Sequence, residues 1–215
     1  MFEKKTLLQL YDRLYEAYGP QHWWPADTPF EVMVGAVLTQ NTAWTNVEKA
    51  IVNLQLAGKL ELSGMHQMTE SRLARLIRPA GFFNVKAKRL KALCRWLTEQ
   101  GGIAQLTDYP TLMLRDSLLA VHGIGPETAD DILLYALGRP VFVIDAYTRR
   151  LLKSLGLARG DEDYDDLRLA FEAALGPDPA LYNEYHALIV RHAKEKCVHP
   201  GDCRHCSVIS IGVVS

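Results

Sequence analysis

The sequence predicts an all-α protein. Apolar residues recur at intervals of three and four along most of the chain, as they do between Leu90 and Leu97. The one strongly β-like run, residues 140–144, has five residues and no partner strand, so we interpret it as a buried extended connector. Glycine and proline breaks divide the rest of the chain into about ten short helices.

Composition indicates an ordinary globular protein. The 215 residues are 48% hydrophobic, which is enough to bury a core. Neither a signal-peptide cleavage site nor an apolar run of the roughly 20 residues that a membrane helix needs is found. We therefore expect a cytoplasmic protein, nucleoid-associated if bacterial, with no membrane partner and no sign of obligate oligomers, hence a monomer. The net charge of −1 means that any contact with DNA must come from a local patch.

A glycine-rich turn lies between two helical stretches, in the segment Val121-His-Gly-Ile-Gly-Pro-Glu-Thr-Ala-Asp130. Gly123 and Gly125 allow a tight turn and a close approach of the backbone to a ligand. Pro126 suits the first turn of a helix, whose free N–H groups attract an anion such as a DNA phosphate. The turn can therefore hold DNA without recognising its sequence, although a plain corner between two helices has the same pattern.

A carboxylate follows the apolar connector at Asp145, directly before the helical segment that begins Ala-Tyr-Thr-Arg-Arg. As an N-cap, Asp145 would accept a hydrogen bond from a free backbone N–H group. The same N–H groups would keep a partly desolvated carboxylate ionised. Such a group can stabilise a positively charged, sugar-like transition state, or it can orient and deprotonate an attacking water.

Three separated motifs together resemble the helix-hairpin-helix glycosylases of the endonuclease III superfamily. They are Leu38-Thr-Gln-Asn-Thr42, the glycine-rich segment from Val121, and Val143-Ile-Asp-Ala-Tyr-Thr-Arg-Arg150. With the cysteines near the C-terminus, the resemblance covers roughly residues 22 to 206. It places Asp145 at the position of the family's catalytic aspartate, and Gly123, Gly125 and Thr128 in the hairpin that binds DNA.

This resemblance implies a fold and a partner. A six-helix barrel domain over residues 27–138 would end in the helix-hairpin-helix, and residues 1–26 and 139–215 would form a second helical domain. Double-stranded DNA with a damaged base would bind in the cleft between them. The enzyme would be a base excision repair glycosylase that hydrolyses the N-glycosidic bond.

The lysine of the family's bifunctional members is missing. Those enzymes form a Schiff base through a lysine in the hairpin's second helix, and Glu127 occupies that position here. No lysine occurs between Lys91 and Lys153. Since a carboxylate cannot form an imine, we expect a monofunctional enzyme that uses water and lacks lyase activity, and we keep Glu127 among the catalytic candidates because of its position.

Candidate base-binding residues precede and follow the start of the predicted barrel. Gln40 matches the family position whose side chain enters the vacated base stack. Trp23 and Trp24 could hold the flipped base between aromatic rings. Their combination with Glu127 resembles the small 3-methyladenine glycosylases of the superfamily, and an aromatic face attracts a cationic alkylated base. We therefore expect alkylated purines rather than oxidised pyrimidines.

Two basic groups are further candidates for phosphate contact. Arg149 and Arg150, with Lys153, lie next to Asp145 in the chain. The second group consists of Lys86, Lys88, Arg89 and Lys91. These residues could equally form a solvated helix face.

The cysteines near the C-terminus, Cys197, Cys203 and Cys206, resemble the loop that holds a 4Fe-4S cluster in the family. The fourth cysteine is missing, because Gly212 stands where it would be expected. Three outcomes remain open: a 4Fe-4S cluster with a non-cysteine ligand, a zinc site that includes a histidine, or no metal. Cys94 lies on an apolar helix face and is expected in the core.

Alternative functions also follow from these motifs. The first is a bifunctional oxidised-pyrimidine glycosylase and lyase of the endonuclease III type, which Glu127 opposes. The second is a non-catalytic helix-hairpin-helix DNA-binding protein in which Asp145 is only a helix cap. The third is a redox-sensing iron–sulfur protein, which the incomplete cysteine set opposes.

Overall fold

The computed structural model describes residues 2–196 and 206–209, and these residues are helical with extended connectors, which confirms the all-α class. The described residues form eleven α-helices: α1 Lys4–Tyr18, α2 Pro29–Leu38, α3 Trp44–Leu56, α4 Leu62–Gln67, α5 Glu70–Leu76, α6 Phe83–Glu99, α7 Thr111–Leu119, α8 Pro126–Asp131, α9 Ala146–Ser154, α10 Tyr164–Leu175 and α11 Pro179–Glu195. Short 3₁₀ helices span Arg78–Ala80 and Ile103–Asp108, and α8 continues as a π-helical segment, Ile132–Ala136. The two longest helices, α6 and α11, each run for 17 residues.

The chain forms two compact units. The first contains residues 1–23 and 138–215, and the second contains residues 24–137. None of the helices in the described part of the chain combines the length and the apolar character required to cross a membrane.

The second unit is built around α2, in which every residue from Phe30 to Leu38 is buried. A helix that is apolar on all sides belongs in a core, and α2 packs against α3, α6, α8 and the π-helical segment. Its start is fixed by Thr28, whose hydroxyl accepts a 3.1 Å hydrogen bond from the Glu31 N–H, and by Pro29 at the first helical position. Cys94 of α6 is also in this core, as predicted.

The first unit joins both ends of the chain. α1 buries Leu7, Leu10 and Leu14, and it packs against α10 and α11. The Tyr185 hydroxyl of α11 donates a 2.8 Å hydrogen bond to the carbonyl of Leu7 in α1. The extended run before Asp145 is buried within this unit, as the sequence suggested, since Val141, Phe142, Val143 and Ile144 are all in the core.

An ion pair joins the two helices of the hairpin, α7 and α8. Arg115 Nε lies 2.7 Å from Asp130 Oδ1, and Arg115 Nη2 lies 3.1 Å from Asp130 Oδ2. Both side chains are buried, so this two-point pairing keeps α7 and α8 together behind the turn.

Replacing Asp130 by Asn should lower the free energy of unfolding by about 3–5 kcal/mol, because the Arg115 guanidinium would stay buried without its counter-charge. Urea unfolding followed by circular dichroism measures the loss. The matched control replaces both Arg115 and Asp130 by Leu, and it should cost less than the single change. With the single variants Arg115→Leu and Asp130→Leu measured alongside, a double variant that loses as much as those two losses added together would show that the pair is not coupled.

Candidate active site

Asp145 caps helix α9 and is buried. It is 8% exposed, and its Oδ1 accepts a 2.7 Å hydrogen bond from the Thr148 N–H. The N-cap role expected from the sequence is therefore confirmed. This capping leaves the second carboxylate oxygen, Oδ2, for another partner.

That partner is His186 of α11, whose Nε2 lies 3.6 Å from Asp145 Oδ2. Burial alone would raise the pKa of Asp145. The contact of His186 with Oδ2, together with the hydrogen bond from the Thr148 N–H, outweighs burial and holds the pKa of Asp145 below its ordinary value of 3.8. Asp145 is therefore an ionised carboxylate in a desolvated position. Sequence analysis did not identify His186, because nothing in its helix distinguishes it from a histidine of the core.

The connector that carries Asp145 is anchored by aromatic packing. The Phe142 ring stacks on Phe171 of α10 with centroids 4.1 Å apart and planes 11° from parallel. The Phe142 N–H also donates a 3.0 Å hydrogen bond to Glu172 Oε1. These contacts hold the backbone before Asp145 in place, so the carboxylate is attached to a rigid segment.

Arg149 and Arg150 follow Asp145 on α9, and both are half-buried. Arg149 Nη1 donates to the carbonyl of Glu162 at 2.7 Å, and Arg150 Nη2 donates to the carbonyl of Ala193 at 2.8 Å. The Arg150 guanidinium also lies over the Tyr147 ring, 5.1 Å from its centroid. Each arginine therefore already has a structural partner in the first unit, and phosphate contact remains a prediction for their other N–H groups.

The hairpin turn uses its two glycines differently. Gly123 has φ +86°, a left-handed conformation that favours glycine. Gly125 has φ −95°, which any residue can adopt, and a Cβ added there would meet no atom within 4 Å. Neither the fold nor the packing of the described chain requires glycine at position 125. Its bare backbone is therefore consistent with the close ligand approach expected from the sequence.

Two further hairpin residues differ in exposure. Glu127, at the position of the family's lysine, is exposed in the first turn of α8. Thr128, one residue later, is buried, and its hydroxyl accepts a 2.9 Å hydrogen bond from Gln40 Nε2. Thr128 thus faces the protein rather than solvent.

Gln40, in the turn that follows α2, is bound to the hairpin. Its Nε2 also donates to the carbonyl of Gly123 at 3.1 Å, and its Oε1 accepts from Arg89 Nη1 at 2.5 Å. Because Nε2 donates to a carbonyl and Oε1 accepts from a guanidinium, the orientation of the amide is determined by its partners.

Lys86 lies beneath this turn. The expectation that it contacts phosphate or belongs to a solvated helix face is wrong. Its side chain is only 1% exposed, and Nζ donates to Leu38 O and Ala80 O at 2.8 Å and to Thr42 Oγ1 at 2.5 Å. Burial, with a smaller contribution from the Arg89 charge, lowers its pKa to about 8. All three ammonium protons have protein acceptors, so Lys86 is neither on a solvated helix face nor available to a phosphate.

Phe82 is a candidate that sequence analysis missed. It is 70% exposed and has φ +43°, which is unusual for a bulky residue. It lies two residues after Ala80, whose carbonyl accepts hydrogen bonds from both Lys86 and the Thr42 hydroxyl. An exposed aromatic ring in a sparsely populated backbone conformation indicates a functional position. No sequence pattern indicates this role, because Phe82 and Phe83 look like an ordinary helix start.

An aromatic cluster forms around Trp24. Its ring lies edge-on to Trp44, with centroids 5.3 Å apart, and 5.5 Å from the ring of Tyr135. Gly35 of α2 makes room for the indole, since a Cβ there would be 2.9 Å from Trp24 Cζ2. All three rings are half-buried. Trp23 is half-buried too, but it belongs to the first unit, whereas Trp24 begins the second. Trp44 and Tyr135 were not predicted.

Two of the predicted metal ligands, Cys197 and Cys203, lie outside the described residues. Cys206 is described, and it is a half-buried free thiol. Within residues 2–196 and 206–209, no group of three or more His, Cys, Asp or Glu side chains could hold a metal ion.

The chain belongs to the HhH-GPD superfamily of base excision DNA repair proteins, whose model matches residues 34–177. This match contains the Gln40 turn, the hairpin and Asp145. It confirms the family that the three motifs resemble, and it makes the chain a DNA glycosylase of base excision repair.

Several relatives are similar along most of their length. A proposed DNA repair glycosylase of Methanocaldococcus jannaschii, MJ1434, is 47% identical over 207 residues, which are 95% of this chain and 94% of that protein. The crystal structure of the H. pylori 3-methyladenine DNA glycosylase MagIII, bound to 1,N6-ethenoadenine, is 34% identical with a TM-score of 0.78, covering 91% of this chain and 99% of that one. A non-covalent endonuclease III–DNA complex has a TM-score of 0.78 at 21% identity, covering 97% and 94%, and shares the fold.

Replacing His186 by Asn should raise the pKa of Asp145, because the imidazole that faces its Oδ2 and lowers that pKa would be lost. In the wild type the lowered pKa keeps Asp145 ionised until the pH falls below 3.8. The acid limb of the single-turnover excision rate should therefore move to higher pH in the variant. The pH profiles of the two proteins on the same damaged duplex measure this, and coincident acid limbs would contradict the assignment.

Proposed function

We propose that the chain is a monofunctional glycosylase that hydrolyses the N-glycosidic bond of an alkylated purine in double-stranded DNA. The observation that carries this proposal is Asp145, a buried carboxylate kept ionised by a helix N–H group and by His186. A fixed negative charge stabilises positive charge that develops during bond breaking. Asp145 would stabilise the positive charge that develops on the sugar.

Asp145 can act on the sugar in two ways. As the bond between C1′ and the base nitrogen breaks, its electron pair leaves with the base and C1′ becomes positive. The carboxylate can stabilise this oxocarbenium-like centre, or it can orient the water that adds to C1′ and accept its proton. Either route leaves an intact abasic site.

Schiff-base chemistry is opposed by the carboxylate at position 127 and by the burial of Lys86. Glu127 replaces the expected amine, and Lys86, although its lowered pKa would favour a neutral nucleophile, is buried with its protons donated to three oxygens. An amine in that position cannot reach a sugar without breaking the contacts that hold the Gln40 turn. Water therefore remains the proposed nucleophile.

The aromatic cluster supports an alkylated substrate. Methylation of a purine ring nitrogen leaves the base cationic, and a cation over an aromatic face gains roughly 0.5–2 kcal/mol. Trp24, Trp44 and Tyr135 offer such faces, and Trp23 is a further candidate. MagIII, a 3-methyladenine glycosylase with 34% identity, was solved with 1,N6-ethenoadenine bound, which is also a modified purine.

DNA would be held and opened by the turns of the second unit. The hairpin backbone at Gly123 and Gly125 would contact phosphates, while Gln40 would fill the space left by the flipped base. Phe82 adds an exposed apolar side chain of the kind that enters base steps and unstacks them. We propose that Gln40 and Phe82 act on the same DNA segment, because Lys86 joins the turns that carry them.

The cysteine segment is proposed to bind a 4Fe-4S cluster, with zinc or no metal as the other outcomes. Thiolates are ligands for both metals, and this chain provides three of the four that the family pattern has. Iron, sulfide and zinc analysis of freshly purified protein, with its visible absorption spectrum, separates the three outcomes.

The substrate is tested by comparing two duplexes that differ only in the lesion, 3-methyladenine or thymine glycol. Wild-type protein should release 3-methyladenine faster by at least about tenfold, because only the methylated base is cationic. Asp145→Asn should reduce release on the order of a thousandfold while binding DNA as before, because the fixed charge is lost. Faster release of thymine glycol would favour the endonuclease III-type alternative. Unchanged Asp145→Asn activity would leave Asp145 as a cap only.

Borohydride trapping tests the choice of nucleophile. Incubation with damaged duplex and borohydride should give no covalent adduct, because no imine forms when water attacks C1′. A bifunctional glycosylase of known lyase activity, treated in parallel, provides the positive control. An adduct that accumulates at the rate of base release would disprove the monofunctional proposal, and Lys86→Met would then show whether that lysine is the nucleophile.

A further inference from the structure

Helix α6 directs two cations toward the turn that carries Gln40. Lys86 binds the backbone and hydroxyl groups at the ends of this turn, whereas Arg89, one helical turn later, binds the Gln40 side chain itself. The two residues therefore act on different parts of the same turn. Lys86 fixes where the turn lies, and Arg89 fixes where its amide points.

Arg89 also packs against the hairpin. A Cβ added to Gly123 would lie 2.3 Å from Arg89 Cγ and 2.6 Å from its Cδ, so the arginine stem occupies the space that a side chain at position 123 would take. Gly123 is thus glycine for two reasons, its positive φ and its contact with Arg89. The guanidinium reaches Gln40 only because the hairpin backbone leaves this space open.

The amide of Gln40 is consequently held from three directions. The hairpin supplies the Gly123 carbonyl and the Thr128 hydroxyl, and α6 supplies Arg89. A free glutamine on a turn would sample many rotamers, and ordering it costs up to about 2 kcal/mol. Here that ordering is complete before DNA is bound.

We propose that Arg89 is a positioning residue that sets Gln40 for entry into the base stack and links it to the hairpin. This inference rests on the proposed role of Gln40. The hairpin that contacts the phosphate backbone and the side chain that fills the vacated stack then form one rigid group. Arg89 acts on DNA through Gln40 rather than as a phosphate contact of its own, which separates it from the neighbouring exposed Lys88.

The test uses a duplex with a tetrahydrofuran abasic analogue beside 2-aminopurine, whose fluorescence changes when a protein side chain enters the gap. Arg89→Met should slow this change by about tenfold, because Gln40 loses its charged hydrogen-bond partner. Gln40→Ala should have an effect at least as large. The matched control is Arg95→Met, which removes the same charge from an exposed position of the same helix and should leave the rate within about twofold.

The double variant decides the matter. If Arg89 works through Gln40, then adding Arg89→Met to Gln40→Ala produces no further loss. If Arg89 is a phosphate contact, the losses add, and Arg89→Met lowers the salt dependence of duplex binding by about one ion. Additive losses would overturn the proposal.

Two features keep the test interpretable. Arg89→Gln accompanies Arg89→Met, and circular dichroism with urea unfolding identifies any variant that fails to fold; a folded Arg89→Gln protein with the wild-type rate would also overturn the proposal. The abasic analogue requires no base release. The result therefore does not depend on whether alkylated purines are the substrate, and a failure of that proposal would appear separately in the lesion comparison.

Discussion

A buried negative charge constrains much of the first unit. An ionised carboxylate removed from water costs several kcal/mol unless hydrogen bonds and an opposite charge replace its hydration. Asp145 is stabilised by the hydrogen bond from the Thr148 N–H at the start of α9 and by the contact with the His186 imidazole of α11. Both helices must therefore meet at the end of the extended connector, and the stacking of Phe142 on Phe171 holds the connector there. The fold of this unit and the chemistry proposed for it depend on the same requirement.

The second unit contains a buried charge of the opposite sign, the ammonium group of Lys86. Lys86 would be unstable in its buried position without the three oxygens that accept its protons, and those oxygens belong to the end of α2 and to two turns. A helix C-terminus carries partial negative charge, so the Leu38 carbonyl is a favourable partner for an ammonium group. The lysine thereby replaces backbone hydrogen bonds that the irregular turns cannot make. The turns that carry Gln40 and Phe82 can then be rigid without regular secondary structure.

Local features of this fold were predictable, whereas contacts between distant residues were not. The helical class, the buried connector and the capping role of Asp145 follow from short-range rules of spacing and capping, and the structure confirms them. His186 and Asp145 are separated by 41 positions, and nothing in either local sequence indicates the other. Similarly, Lys86 looked like one of four basic residues on a helix surface. Only the packing of α6 under the α2 turn makes it a core residue.

The aromatic residues illustrate why a candidate site is harder to predict than a fold. Trp23 and Trp24 are adjacent in the chain, which favours the prediction that they act as a pair. In the structure, Trp24 instead shares a cluster with Trp44 and Tyr135. Three distant segments form that cluster, and it depends on Gly35, whose missing side chain admits the indole to the surface of α2.

A glycine within a helix lowers helix stability by up to about 1 kcal/mol relative to alanine, and α2 carries this cost at the centre of the second unit. The helix tolerates it because every neighbouring residue of α2 is buried. The stability of this core therefore permits a locally unfavourable residue, and that residue makes the space for an aromatic surface on which a flipped base could be received.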